Sequence, residues 1–132
     1  MIHKKISVKI GEHHPTAEIT TYMIGNSEEL YDGRLRPLII ICPGGGYEMT
    51  SDREAEGIAL KFMAMGYHAA VLRYSVKPAV YPTALLQLAA TVKYFRENSD
   101  KYYIDADKII ICGFSAGGHL VASYGNSWNK AQ

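Results

Sequence analysis

Residues 108–118 read KIIICGFSAGG, and this stretch decides how the chain folds. It begins with a β-branched apolar run that predicts a buried strand, and glycine then ends the strand. The residues that follow, 116–124, have helical spacing, so the pattern is strand, turn and helix with Ser115 at the turn. A turn this tight leaves no room for bulk two residues before or after the serine, which explains Gly113 and Gly117.

Ser115 occupies the serine position of the G-x-S-x-G nucleophile elbow. In such an elbow the hydroxyl lies at the carboxyl edge of the sheet and at the N-terminus of a helix. The helix dipole and the free N–H groups there stabilise a developing oxyanion. The simpler alternative is a strand-to-helix turn in which the serine only caps the helix. The context on both sides favours Ser115 as a nucleophile.

A second glycine motif follows another apolar run. Residues 38–42 predict a buried strand, and residues 43–46 read PGGG. An oxyanion hole beside an elbow takes one N–H from the residue after the nucleophile, here Ala116, and another from the loop after an earlier strand. Glycines can turn their N–H groups into a site, so Gly45 and Gly46 are the predicted loop donors. The alternative is a flexible turn.

The remaining sequence alternates between strand and helix periodicity. The predicted strands are residues 6–10, 17–22, 38–42, 67–72 and 108–112. Ser51 and Glu54 form a capping-box pattern that starts one helix, Gly66 ends it, and Pro82 begins the next. The order β-β-β-α-β-α-β-α predicts an α/β fold with a mainly parallel sheet and helices on both faces.

Composition narrows the function classes. A chain of 132 residues predicts one domain, and a net charge of +1 gives no reason to expect nucleic acid or an anionic membrane as a partner. No secretory signal and no membrane-spanning run is seen, so the default location is cytoplasmic. Cys42 and Cys112 are too few for a disulfide framework or a zinc site, and are expected to be small buried residues.

Nucleotide cofactors are also not expected. Gly113 and Gly118 have phosphate-loop spacing, but His119 and Leu120 follow where lysine and a hydroxyl residue are needed. The G-x-G of the earlier loop is followed by Met49 in place of the third glycine of a dinucleotide site. We therefore predict no cofactor and no metal.

Together, the two glycine motifs resemble the α/β-hydrolase esterase/lipase family, most closely its acetyl-esterase and xylan-esterase-like branch. The matching segments are residues 43–47, 51–56, 71–76, 81–85 and 113–120. The resemblance implies a serine carboxylesterase that acts on small acetyl-type esters, including acetylated sugars, through an acyl-enzyme on Ser115. Pro43 stands where many such esterases carry the histidine of a His-Gly-Gly-Gly loop.

In that family the triad acid and histidine follow the serine. After Ser115 there is no Asp or Glu, and His119 lies one helical turn along, where it is expected beside the elbow. The resemblance thus implies that residues 1–132 are the N-terminal part of a single hydrolase domain, truncated after the elbow helix and inactive alone. Such a fragment has an uncovered sheet edge through which it could self-associate.

Two other functions stay open: a serine peptidase like prolyl oligopeptidase, and a non-catalytic module with a hydrolase fold. The remaining candidate groups have structural explanations. Histidines that precede the nucleophile are expected to be structural, and helix capping accounts for the acidic residues of the 51–56 segment. These groups are His3, His13, His14, His68, Asp52, Glu54 and Glu56. Candidates to line the site are Tyr47, Tyr74 and Tyr81.

Overall fold

The structure is a computed structural model. It describes residues 1–11, 15–26, 29, 33–45, 50–75, 82–114 and 116–127. The turn predicted through His13 and His14 lies outside these residues. None of the described helices is long and apolar enough to cross a membrane.

Five strands form one sheet. They are β1 (Lys5–Val8), β2 (Ala17–Tyr22), β3 (Arg36–Cys42), β4 (His68–Arg73) and β5 (Ile104–Gly113). Their spatial order is β1-β2-β4-β3-β5. The strands β4, β3 and β5 run parallel, whereas β2 is antiparallel to both β1 and β4. The carboxyl ends of β3, β4 and β5 therefore meet at one edge of the sheet, which is where the two glycine motifs begin.

Helices cover both faces of the sheet. They are α1 (Glu56–Ala64), α2 (Thr83–Glu97), the four-residue α3 (Ser99–Tyr102) and α4 (Ala116–Ser127). On one face, Phe95 of α2 and Leu120 of α4 pack in a core with Ile40 of β3. On the other face, Ala59 of α1 packs with Ile41 of β3. The predicted α/β architecture with two helical layers is confirmed.

The start of α1 differs from the capping-box prediction. A short 3-10 helix, Asp52–Glu54, precedes α1, and the Ser51 hydroxyl accepts a hydrogen bond from Arg53 N at 3.3 Å. Glu54 does not complete a capping box; its carboxylate accepts from another segment instead. At the far end the prediction is confirmed, because Gly66 has a φ of 94° and Tyr67 N donates to Phe62 O at 3.1 Å. These contacts form a Schellman motif.

The last strand and helix correct two predictions. The segment 108–112 was expected to be buried, yet Ile110 is 48% exposed. Among the described residues β5 pairs only with β3, so it is an edge strand. Residues 104–107, predicted as a turn, are the first part of β5, and Asp105 Oδ1 accepts a hydrogen bond there from Asp107 N at 3.1 Å. Gly125 does not end α4, which continues to Ser127.

Candidate active site

The elbow is built by direct backbone contact. Strand β5 ends at Gly113, α4 begins at Ala116, and Gly117 N donates to Phe114 O at 2.8 Å. A Cβ on Gly113 would lie 2.3 Å from Gly117 O, closer than real atoms approach. Only glycine fits there, so the turn can be this tight. Ser115 itself lies outside the described residues.

The first turn of α4 rests on the end of β3. A Cβ on Gly117 would lie 1.9 Å from Cys42 O and 2.8 Å from Pro43 O. Phe114 N donates to Cys42 O at 3.1 Å. The elbow and the glycine loop, about 70 residues apart in the sequence, are therefore in backbone contact.

Two residues of the segment before α1 hold the glycine loop. Glu54 Oε1 accepts a hydrogen bond from Gly44 N at 3.0 Å. Ser51 N donates to Gly44 O at 2.8 Å. Both backbone groups of Gly44 are thus occupied, and Pro43 has no N–H to offer.

The carboxyl end of β4 supports the same loop. Tyr74 is 3% exposed, and its hydroxyl donates to Pro43 O. Arg73 donates to Thr50 O at 2.6 Å and to Asp52 Oδ1 at 2.9 Å. Tyr74, which was expected to line the site, instead has its hydroxyl bonded to the loop backbone. Tyr47 and Tyr81 lie outside the described residues.

Among the described loop residues, Pro43 and Gly44 therefore have no N–H available for an oxyanion, whereas Gly45 is not bound by these contacts. Gly45 has a φ of 146°, a conformation that residues with a side chain rarely adopt. Ala116 is the first residue of α4, where backbone N–H groups have no partner within the helix. The third candidate donor, Gly46, lies outside the described residues.

The described histidines lie in three different places. His3 Nδ1 contacts Thr21 O at 2.8 Å, and His68 is fully buried between Ile24 N and Tyr103 O, at 3.1 Å from each. His119 lies on the exposed side of α4. Among the described residues, no cluster of three or more His, Cys, Asp or Glu is arranged to hold a metal ion.

Neither thiol is poised to react. Burial raises the pKa of Cys42 to about 12, and burial also raises the pKa of Cys112. Both groups therefore stay protonated near neutral pH, where only a thiolate is an effective nucleophile. Cys42 is fully buried as expected, whereas Cys112 on the edge strand is only partly buried.

Comparison with known protein families identifies the chain. Residues 29–132 match the BD-FAE family, an α/β-hydrolase family. The chain belongs to the BD-FAE family.

Proteins similar to this chain include a xylanase, a carboxylesterase and an acetyl ester-xyloside hydrolase. Endo-1,4-beta-xylanase B of Butyrivibrio fibrisolvens is 36% identical over 92 residues, which are 67% of this chain and 14% of that protein. A carboxylesterase from Lactobacillus plantarum superimposes with a TM-score of 0.89 at 36% identity, over 97% of this chain and 47% of that one. An acetyl ester-xyloside bifunctional hydrolase from Caldicellulosiruptor lactoaceticus superimposes with a TM-score of 0.79 at 30% identity, over 91% of this chain and 46% of that one. The chain thus spans about half the length of the solved structures described.

Sequence reasoning missed the residues that position the glycine loop of this BD-FAE chain. Glu54 and Asp52 were interpreted as helix-capping residues, but they bond to Gly44 and Arg73. Their positions before a helix gave no sign of this, because both partners come from other segments. One signal was available: Glu54 falls within a segment that resembles the family.

Proposed function

We propose that the protein to which this chain belongs is a serine carboxylesterase with Ser115 as its nucleophile. The observation that carries the proposal is the backbone contact between Gly117, in the first turn of α4, and Cys42 O, where the glycine loop begins. This contact supports the proposal because it sets the N-terminus of α4 against the end of β3, where the glycine loop begins, and an oxyanion hole takes donors from these two segments.

The proposed reaction is ester hydrolysis in which backbone N–H groups bind the oxyanion. Ser115 Oγ bonds to the acyl carbon as a base takes its proton, and the carbonyl oxygen becomes an oxyanion. The N–H groups of Ala116, Gly45 and Gly46 bind that oxyanion. The bond between the acyl carbon and the alcohol oxygen then breaks, and the base gives its proton to the leaving alcohol. Water next attacks the acyl-enzyme while the base takes a proton from it. The base returns that proton to Ser115 Oγ as the acid leaves.

The base and its orienting acid are proposed to follow residue 132 in the longer protein, in the order serine, acid, histidine. Residues 1–132 alone then keep a nucleophile and an oxyanion hole without a base. By comparison with triad knockouts, about 10³–10⁴-fold acceleration over water could remain. Robust fluorophosphonate labelling of the 132-residue chain would contradict this part of the proposal.

The proposed substrates are small acetyl-type esters, including acetylated sugars. Support comes from the relative that hydrolyses an acetyl ester and a xyloside. In the full-length protein, Ser115→Ala should abolish hydrolysis of p-nitrophenyl acetate. Wild-type turnover by this variant would exclude Ser115 as the nucleophile. Faster cleavage of peptide amides than of esters would favour a peptidase, and no turnover by the folded wild type would favour a non-catalytic module.

Self-association of the isolated chain is a separate proposal. Among the described residues β5 is an edge strand with Ile110 half exposed, and such an edge can pair with a second copy. Sedimentation of the 132-residue chain should show a concentration-dependent dimer, and Ile110→Lys should weaken it. A chain that remains monomeric at millimolar concentration would contradict the proposal.

A further inference from the structure

A polar groove of about 650 Å³ lies on the α1 side of the sheet, outside the elbow. Its floor is Glu18, Thr20 and Tyr22 of β2. Register places Lys5 opposite Thr20, so β1 forms one side of the groove. The volume falls within the range of about 300–1,000 Å³ that small-molecule sites occupy. We call this feature the β1–β2 groove.

The far wall of the β1–β2 groove comes from the segment that holds the glycine loop. It consists of Thr50, Asp52, Glu56 and Arg73. Arg73 bonds both Thr50 O and Asp52 Oδ1, which connects β4 to the segment before α1.

The charges of the lining suit a neutral, polar ligand. Three carboxylates, those of Glu18, Asp52 and Glu56, face the two cations Lys5 and Arg73. This near balance disfavours a strongly charged ligand, and the polar walls disfavour an apolar one. A polyhydroxyl ligand fits, because each hydroxyl can donate to a carboxylate and accept from an ammonium or guanidinium group.

Two further side chains of the lining, His3 and Tyr22, add hydrogen-bonding groups. His3 Nδ1 donates to Thr21 O at 2.8 Å, and this bond fixes the orientation of the ring in the groove lining. The His3 ring lies 4.7 Å from the Tyr22 ring, centroid to centroid. Burial and the nearby Glu56 raise the pKa of Tyr22, so its hydroxyl remains a neutral donor. Tyr22 is only 7% exposed, so of these two rings it is His3 that a sugar could contact.

The groove is also coupled to the glycine loop. Thr50 and Asp52 flank Ser51, whose N–H binds Gly44 O. Arg73 donates hydrogen bonds to Thr50 and Asp52. The next residue, Tyr74, donates its hydroxyl to Pro43 O. A ligand in the groove would contact the segment that anchors the proposed oxyanion loop.

We propose that the β1–β2 groove binds a sugar unit of a carbohydrate ester substrate, remote from the ester that is cleaved. This inference rests on the proposed function. It adds a separate site for the sugar portion of that substrate and assigns the residues that form it.

A matched pair of double variants tests the groove in the full-length protein. Lys5 and Glu18 form an exposed ion pair in the groove at 3.9 Å, with side chains 72% and 48% exposed. Lys93 and Glu97 form a similar pair on α2 at 3.8 Å, 76% and 61% exposed. Lys5→Ala/Glu18→Ala removes groove contacts, and Lys93→Ala/Glu97→Ala is the control. Neither pair belongs to the proposed catalytic machinery.

The first measurement is KM of each variant for two substrates, an acetylated xylo-oligosaccharide and p-nitrophenyl acetate. The groove variant should raise KM for the oligosaccharide about tenfold, the effect of one lost charged hydrogen bond, and leave p-nitrophenyl acetate unchanged. The control variant should match wild type on both substrates. A groove variant with wild-type KM for the oligosaccharide would overturn the inference.

Direct binding separates this inference from the esterase proposal. Unesterified xylotetraose should bind wild type and the control variant with equal Kd, and the groove variant about tenfold more weakly, by calorimetry. Failure of wild type to bind xylotetraose, or equal binding by the groove variant, would overturn the groove inference. Absence of ester turnover with intact groove binding would overturn only the esterase proposal.

Discussion

Glu54 and Gly44 are joined by a hydrogen bond of 3.0 Å from the backbone N–H of Gly44 to the Glu54 carboxylate. This bond removes one N–H of the glycine loop from the set that could face a substrate. It also ties the loop to the segment that leads into α1. Under the proposed function, Glu54 would be a positioning residue that acts through the loop.

Glu54→Ala should lower kcat for p-nitrophenyl acetate in the full-length protein by about tenfold to a hundredfold, because a loop displaced by about 1 Å misplaces its donors. Glu54→Gln keeps an oxygen acceptor for Gly44 N and should restore most of the rate. Glu97→Ala, on α2, serves as the control. Equal kcat for Glu54→Ala and wild type would show that the bond does not position the loop.

Gly117→Ala should strongly destabilise the fold. The new Cβ would overlap Cys42 O, so α4 or β3 must move, and we expect a loss of about 3 kcal/mol in the free energy of unfolding. Gly125→Ala is the matched control in the same helix, because nothing lies within 4 Å of its Cβ position. Alanine favours helix by up to about 1 kcal/mol, so this change should stabilise. Urea unfolding measures both, and equal effects would contradict the contact.

Tyr74→Phe should impair both stability and catalysis. It leaves Pro43 O without its buried donor, at a cost of about 1–3 kcal/mol, and releases the start of the glycine loop. Tyr94→Phe is the comparison, because it also removes a tyrosine hydrogen bond, 2.6 Å from the Tyr102 hydroxyl, far from the loop in sequence. Only Tyr74→Phe should lower kcat. If both variants reduced kcat equally, a general loss of stability would be the explanation.

His68 should make the fold sensitive to mild acid. Burial lowers its pKa, the charge of Arg36 acts in the same direction, and the hydrogen bond to Tyr103 O opposes both. Because the folded-state pKa lies below the unfolded value of about 6.5, the stabilisation is complete above that pH. It is lost as the pH falls from there through the depressed folded-state pKa.

Urea unfolding between pH 7.5 and 5 measures this effect. The free energy of unfolding of wild type should fall across the range. His68→Gln should be less stable at pH 7.5 and show a flatter profile than wild type. A His68→Gln profile parallel to wild type would mean that another group is responsible.

Much of the fold follows from local pattern. The run at Ile39–Ile41, the helical spacing that includes Leu88 and Phe95, and the glycine stop at Gly66 predicted elements that the structure contains. Their success has a physical basis, since strand, helix and turn depend on neighbouring residues. The burial of β5 was predicted wrongly because an apolar run does not reveal how many strands lie beside it.

The sequence by itself determined the order of strands and helices and the positions of the glycines at both turns, because each is a demand of the local backbone. Only the tertiary structure decided which segments meet. It pairs Glu54 with Gly44 and Arg73 with Asp52, and it sets Gly117 on the end of β3. These contacts join residues up to about 75 positions apart, and their partners depend on how the sheet is ordered.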